Sequence, residues 1–315
     1  MKGAPAMVSL IEDYLAVRRR MSFDLRIAGR QLLAFARFSD QIRHCGPVTL
    51  DLAVRWAQTA PSAKPFTWAR RLEVLRPFTK YLFQFDGGTE LIPSRFFGSP
   101  HRRLVPHIYT EQEIRSLVEA AGNLPPARSL RPLTYSTLFG LLAVTGLRIS
   151  EALHLTPQDV DSERALLTVR QTKFRKSRLV PLHFTTVAAL RRYEEARHRK
   201  LGGLPIEAFF VSDCGAPIAD RTVHGVFERL RACLGWSARG GHVAPRLHDL
   251  RHTFICHGLL RSRRQHQTID RVIDALSTYV GHAKVSDTYW YVTATPEIMA
   301  IAAQRFAQFA EGGAR

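Results

Sequence analysis

One stretch, residues 87–108 (DGGTELIPSRFFGSPHRRLVPH), interrupts every hydrophobic periodicity in the chain and carries glycines, prolines and a basic cluster. Such a stretch reads as a linker between two separately folded units. With 315 residues, each unit has enough chain to bury its own core. The expected division is a helical unit over residues 1–90, a linker over 91–108 and a second unit over 109–315. Before the break, apolar residues recur at helical spacing in four runs: Leu10, Ile11, Tyr14 and Leu15; Leu25, Leu32, Leu33, Phe35 and Phe38; Leu50, Leu52, Ala53 and Trp56; and Trp68, Leu72, Leu75, Phe78, Tyr81 and Leu82. Arg70, Arg71, Arg76 and Lys80 fall between the apolar positions of the fourth run and give it a basic face.

The second unit opens on a clear helix start. Thr110 stands three residues before Glu113, the spacing of a capping box, and Ile114, Leu117 and Val118 follow. An apolar helix is expected over about 131–145 and another over 184–200. Residues 165–170 and 178–182 read as strands joined by the basic turn QTKFRKS, and AFFVS (208–212) reads as a further short strand. Helices are expected from there to about residue 310, so the fold class is mainly α with a small β-hairpin or sheet.

Charge narrows the partner. The formal net charge is +18 and the sequence pI about 10.6. The excess divides evenly between residues 1–108 and the remainder, which suits a polyanion gripped by both units, most simply duplex DNA. An RNA partner would give the same balance. Candidate phosphate contacts are Arg70, Arg71, Arg102, Arg103, Lys176 and Arg178. No apolar run approaches the ~20 residues of a membrane span, and acidic residues interrupt the start where a signal peptide would be apolar. A cytoplasmic protein without a membrane partner is expected. Cys45, Cys214, Cys233 and Cys256 are scattered, without metal or disulfide spacing, so buried free thiols are expected.

Four separated signals in the second unit carry chemistry. In TGLRISEAL (145–153), Gly146 breaks a helix and Arg148 projects from the junction, with Glu151 three residues on to orient it. Lys173 stands in the turn between strands, where a mobile ammonium suits proton donation. His248 and Arg251 of HDLRH (248–252) share one helix face while Leu250 points to the core. His282 follows Gly281 and precedes Tyr291 by nine residues. Two guanidiniums, an ammonium, two imidazoles and a phenol, without a carboxylate cluster or glycine-rich phosphate loop, match metal-free attack on a phosphodiester. No metal or cofactor is expected. A cationic surround lowers the pKa of a phenol toward the range of a usable nucleophile.

The ordered set Arg148, Lys173, His248-x-x-Arg251, His282 and Tyr291 resembles the tyrosine recombinase (integrase) family. TGLRISEAL, KFRKSRLVPL, LHDLRHTF and the spacing from His282 to Tyr291 all look like its motifs, and the likeness spans roughly residues 109–310. The resemblance implies the fold of the DNA breaking-rejoining enzymes, preceded by a SAM-like core-binding domain, with the two domains clamped about a duplex. It implies site-specific strand exchange through a 3′-phosphotyrosyl bond to Tyr291 and a free 5′-hydroxyl, without ATP. Four protomers would act through a Holliday junction, or the chain would join a hetero-assembly of related recombinases. PEIMAIAAQRFAQF, within a helix over about 296–310, would dock on a neighbouring protomer. DTYWYVTATPE looks like recombinases of transposons and similar mobile elements, which suggests a role in integration or transposition. Two departures stand out. RSRRQHQTIDR (261–271) looks like an insertion, best read as a solvated loop, and Tyr289 lies two residues before Tyr291, so the nucleophile is assigned by spacing from His282. The alternatives are a type IB topoisomerase, which uses the same chemistry to relax DNA, and a non-catalytic DNA-binding partner in a multi-recombinase complex.

Overall fold

A computed structural model describes residues 6–62, 64–101, 103–170, 177–202, 204, 206–264 and 268–294. The chain divides into two compact units, Met1–Arg103 and Leu104–Arg315. No helix among the described residues is long and apolar enough to cross a membrane.

In the first unit, α1 (Met7–Arg20), α2 (Arg26–Gln41), α3 (Leu50–Gln58) and α4 (Pro65–Leu82) pack around one core. Thr49 caps α3 by accepting from the Leu52 amide, and α4 starts with Pro65, whose missing N–H costs nothing in a first turn. The predicted apolar runs supply the core: Ile11 and Tyr14 from α1, Leu32 and Phe35 from α2, Trp56 from α3, Leu75 and Phe78 from α4. Aromatic edges meet faces across it, Tyr14 on Phe78 and Phe35 on Trp56. Ile92 is buried in the same cluster and Phe97 packs on Trp68, so residues 92–97 belong to this unit's packing.

The second unit is built on α6 (Arg131–Thr145), which is apolar around most of its circumference and is buried accordingly. It packs against α5 (Glu111–Gly122), α8 (Phe184–Leu201) and α10 (Asp249–Arg264). The Thr110–Glu113 capping box forms as expected, with Thr110 Oγ1 accepting from the Glu113 amide and the Glu113 carboxylate accepting from the Thr110 amide. After the short helix α7 (Ile149–Leu153), strands β1 (Val160–Asp161), β2 (Leu166–Val169) and β3 (Arg178–Pro181) form an antiparallel sheet in the order β1-β2-β3. Leu167 lies opposite Val180, and both side chains face the core. The last described elements are α9 (Asp220–Cys233), α11 (Ile269–Val280) and α12 (Ser286–Ala294). Helices α10, α11 and α12 share a smaller core of Ile255, Cys256, Leu259, Ile273, Val280 and Tyr291.

Three expectations are corrected. AFFVS (208–212) is not a strand and shows only an isolated bridge from Val211 to Pro217. Phe209, Phe210 and Val211 are fully buried, and the backbone is satisfied piecemeal, the Phe209 amide by the Leu155 carbonyl and the Val211 amide by the Tyr193 hydroxyl. An apolar run of this length signals burial without specifying strand pairing. Of the cysteines, only Cys256 is buried, while Cys45, Cys214 and Cys233 are exposed free thiols in a loop, on a turn and at a helix end. Within the 261–271 stretch, the described residues are mostly helical: α10 runs on to Arg264 and α11 starts at Ile269. Residues 296–310, expected to form a docking helix, lie outside the described residues.

Gly146 ends α6 in a left-handed conformation, φ +62°, and a Cβ there would lie 2.6 Å from Phe254 Cδ1 on α10. Both the conformation and the contact penalise any side chain. Gly146→Ala is expected to lower stability by about 2 kcal/mol or more, read as a shift of the urea midpoint at unchanged slope.

Candidate active site

The site begins at the junction that follows Gly146. Arg148 immediately precedes α7, and Glu151 on its first turn accepts from the Arg148 amide (3.0 Å) and from Arg148 Nη1 (2.7 Å). Arg178, the first residue of β3, reaches the same carboxylate with Nη1 (3.2 Å) and Nη2 (2.8 Å). The Glu151 side chain is only 6% exposed. Burial alone would raise its carboxyl pKa, but hydrogen bonds from Arg178 and Arg148 outweigh burial and hold it below the usual carboxylate range. Glu151 is thus a buried anion that fixes two cations. Arg178, expected to meet DNA, turns its guanidinium inward to Glu151 and to the Tyr279 carbonyl (2.8 Å).

A second feature holds the arginines together. Helix α11 ends in a Schellman turn at Gly281, φ +70°, with the His282 amide donating to Ser277 O and the Gly281 amide to Thr278 O. That turn leaves the carbonyls of Tyr279, Val280 and Gly281 without helical partners. Each is taken by an arginine: Tyr279 O by Arg178 Nε, Val280 O by Arg251 Nη2 (2.8 Å) and Gly281 O by Arg148 Nη2 (3.2 Å). The negative end of the α11 dipole favours this convergence of cations. Arg251 also donates Nη1 to the Gly146 carbonyl (2.7 Å) and is 2% exposed. Burial, and then the Arg148 charge, lower its pKa to about 10, so it stays protonated at neutral pH. The Arg148 side chain is 30% exposed and opens the group to solvent.

The imidazoles and the phenol lie against this group. Asp249, fully buried, accepts from the Arg246 amide and guanidinium and so fixes the start of α10 just after His248. Leu250 is buried, as expected from its position opposite the His248–Arg251 face. His282 Nδ1 bonds Thr288 Oγ1 (2.7 Å), and its ring lies nearly parallel to that of Tyr291, interplanar 5°, at 6.3 Å between centroids. Tyr291 is 4% exposed, and its hydroxyl meets His252 Nδ1 at 2.5 Å. The His252 ring stands edge-on to His248, centroids 4.8 Å apart. Loss of hydration, then the charge of Arg251, lower the pKa values of His248 and His282 each to about 4. His248 is exposed and His252 half-buried, and loss of hydration, then His248 itself, push His252 lower still. At neutral pH the pocket therefore combines permanent guanidinium charges with neutral imidazoles.

Of the residues expected from sequence, Arg148, Glu151, His248, Arg251, His282 and Tyr291 come together in the second unit, joined by Arg178. Tyr289 turns the other way: it is 43% exposed and donates to Asp270 on α11. Lys173, Lys176 and Arg102 lie outside the described residues. In the first unit Arg70 is exposed, whereas Arg71 stacks on Trp56 (4.2 Å) and donates to Thr59 Oγ1 (3.1 Å); Arg103 is exposed. The sequence reading did not single out His252, although its place four residues after His248 on one helix face was available as a signal. Among the described residues, no group of three His, Cys, Asp or Glu side chains is arranged to hold a metal ion.

Fold and site together define the class. The chain superposes on a Tn1549 transposon integrase in complex with circular intermediate DNA with a TM-score of 0.66, at 19% identity, covering 94% of this chain and 99% of the other. It superposes on the XerH site-specific recombinase bound to palindromic difH substrate with a TM-score of 0.65, at 16% identity, covering 88% and 78%. These likenesses show a shared fold, mainly helical with a small three-stranded sheet in this chain. In sequence, a protein of Sinorhizobium fredii named as an integrase/recombinase, y4rB, is 38% identical over 94% of this chain and 95% of its own length. The tyrosine recombinase XerC of Thermodesulfovibrio yellowstonii is 30% identical over 71% and 70%. The profile of the phage integrase family matches residues 108–297. The chain belongs to the phage integrase family and is a tyrosine recombinase.

Two outcomes follow from the site's electrostatics. Glu151→Ala removes the shared acceptor of Arg148 and Arg178 and should destabilise the protein by about 3–5 kcal/mol, measured by denaturant unfolding. His248 and His282 have folded pKa values near 4, below the unfolded value of about 6.5. Between those limits the unfolded chain binds more protons, so stability rises with pH and is lost as pH falls. The melting temperature should drop between pH 6.5 and 4.5, and His282→Asn should flatten that slope.

Proposed function

We propose that this recombinase cleaves and rejoins duplex DNA through a 3′-phosphotyrosyl bond to Tyr291, in the integration or transposition of a mobile element. The observation that carries the reading is the meeting of Arg148 and Arg251 at the end of α11, one residue before the imidazole that lies parallel to the buried Tyr291 ring. A scissile phosphate at that helix end would find two guanidiniums for its non-bridging oxygens, where negative charge grows in the transition state. His248 and His282, neutral at physiological pH, would donate or accept hydrogen bonds without adding charge. Tyr291 Oη would pass its proton to a neutral imidazole of the site and attack phosphorus as the bond to the 5′ oxygen breaks, and Lys173 would supply the leaving oxygen with its proton. The phosphotyrosyl ester conserves the bond for rejoining, so no nucleotide cofactor is needed.

DNA is the proposed partner of both units, residues 1–90 acting as a core-binding domain and 109–315 as the catalytic domain. The even spread of positive charge and the exposed Arg70 and Arg103 support this, as do the relatives and neighbours named as integrases and recombinases. The proposed assembly is a tetramer on DNA, or a hetero-assembly with related recombinases.

A nicked suicide duplex carrying the element's terminal repeats tests the reading. The wild-type protein should form a covalent adduct at the 3′ phosphate, Tyr291→Phe should form none and Tyr289→Phe should retain it. Arg251→Gln should slow adduct formation by about 10²-fold or more. Wild-type protein that binds the duplex without any adduct would identify a non-catalytic binding partner. Relaxation of plasmids that lack the repeats would identify a topoisomerase.

A further inference from the structure

The histidine in contact with the Tyr291 hydroxyl is His252, which none of the roles above uses. Its Nδ1 lies 2.5 Å from the phenolic oxygen, and the rings are tilted by 45° with centroids 5.4 Å apart. This is a short bond between groups on different helices, α10 and α12, and it ties the candidate nucleophile to the helix that carries Arg251.

The place of His252 on α10 is rigid. One turn earlier, Asp249 is clamped by Arg246, and immediately after it Thr253 Oγ1 donates to the Asp249 carbonyl and accepts from the Tyr109 amide. Arg251, the preceding residue, is locked to the carbonyls of Gly146 and Val280. The imidazole is therefore anchored on both sides in sequence, and it is walled by His248 and Trp290. The basic groups that act on it are His248, Arg246, Arg251 and His242, and Tyr291 meets it by hydrogen bond. Burial, and then the neighbouring basic groups, keep the ring neutral, which leaves one nitrogen with a free lone pair.

We propose that His252 is the positioning residue of the nucleophile: Nδ1 accepts the Tyr291 hydroxyl hydrogen and fixes Oη relative to the arginines, so that its lone pairs face the scissile phosphate. A phenol swings about its Cβ–Cγ axis without moving Oη far, but rotation about Cα–Cβ displaces it by several ångströms, enough to misalign an in-line attack. Packing in the α10–α12 core restrains the ring, and the hydrogen bond sets where the hydroxyl points. The inference rests on reading Tyr291 as the nucleophile.

The test measures adduct formation with the suicide duplex under single-turnover conditions for wild type, Tyr291→Phe and three His252 variants. Asparagine sets its amide where Nδ1 stands, whereas glutamine reaches only the place of Nε2 and phenylalanine keeps the ring without a polar atom. His252→Phe and His252→Gln should each slow the cleavage rate constant about tenfold or more, the scale of one lost hydrogen bond, with duplex affinity within about twofold. His252→Asn should recover most of the rate. A merely structural role would not separate asparagine from glutamine, so equal rates for those two variants overturn the proposal even if phenylalanine prevents folding. A His252→Phe protein as fast as wild type, or faster, overturns it too and marks the bond as incidental or restraining. Adduct that forms in wild type and is lost in Tyr291→Phe, with no effect at His252, defeats this inference alone. Adduct that persists in Tyr291→Phe defeats the nucleophile assignment and this inference together.

Discussion

Three consecutive carbonyls at the end of α11 organise the second unit's chemistry. A Schellman turn at Gly281 satisfies the earlier part of the helix end and leaves Tyr279, Val280 and Gly281 facing outward, each met by a different arginine. Those arginines come from β3, α10 and the start of α7, elements far apart in sequence. Three guanidiniums brought this close would repel one another strongly in a desolvated site. The helix dipole and the buried Glu151 carboxylate offset that repulsion, and the left-handed glycine makes the geometry available. A Cβ at residue 281 would lie 2.7 Å from Arg178 Nη1, so backbone conformation and charge arrangement are one constraint.

The phenol is held by a different kind of force. Tyr291 belongs to the apolar cluster of Ile255, Leu259, Ile273 and Val280, so the ring is a core residue and only its hydroxyl enters the polar pocket. Tyrosine suits this division, since burial of the ring stabilises α12 while the oxygen seeks a polar partner. Tyr289, two residues earlier on the same helix, faces the other side and bonds Asp270. Helical geometry separates the two tyrosines by about 200°, so one can be core and the other surface.

Local signals were legible in the sequence where one element decides the outcome. The Thr110 capping box, the apolar α6, the helix break at Gly146 and the inward Leu250 all depend on neighbours within a turn or two, and each appears as read. The six-residue set was recognisable because its order and spacing are distinctive, and five of its members are described and share one pocket with Glu151. Legibility failed where partners are distant. Arg178 looks like any basic residue beside a hairpin turn, and its burial depends on Glu151 and Tyr279, from two other elements. AFFVS announced burial, but whether a buried segment pairs as a strand depends on what lies beside it, here Leu155 and Tyr193. His252 carries a local signal in its place four residues after His248, but its contact with Tyr291, thirty-nine positions away, does not show in the sequence.

The charge states of the pocket follow from how each group responds to the same environment. Desolvation and neighbouring cations disfavour protonation of Arg251, His248 and His282 alike, yet the responses differ because the starting affinities differ. A guanidinium lowered to about 10 remains charged at neutral pH, while imidazoles lowered to about 4 have lost their charge. One field thus sorts the bases into permanent cations and neutral hydrogen-bonding groups. An incoming phosphate would reverse part of that field, raising the proton affinity of the nearest imidazoles at the moment a proton must leave the phenol. In the proposed reaction, the substrate's own charge would therefore tune the groups that handle its protons, a role that the arginine-crowded resting pocket denies them until DNA is bound.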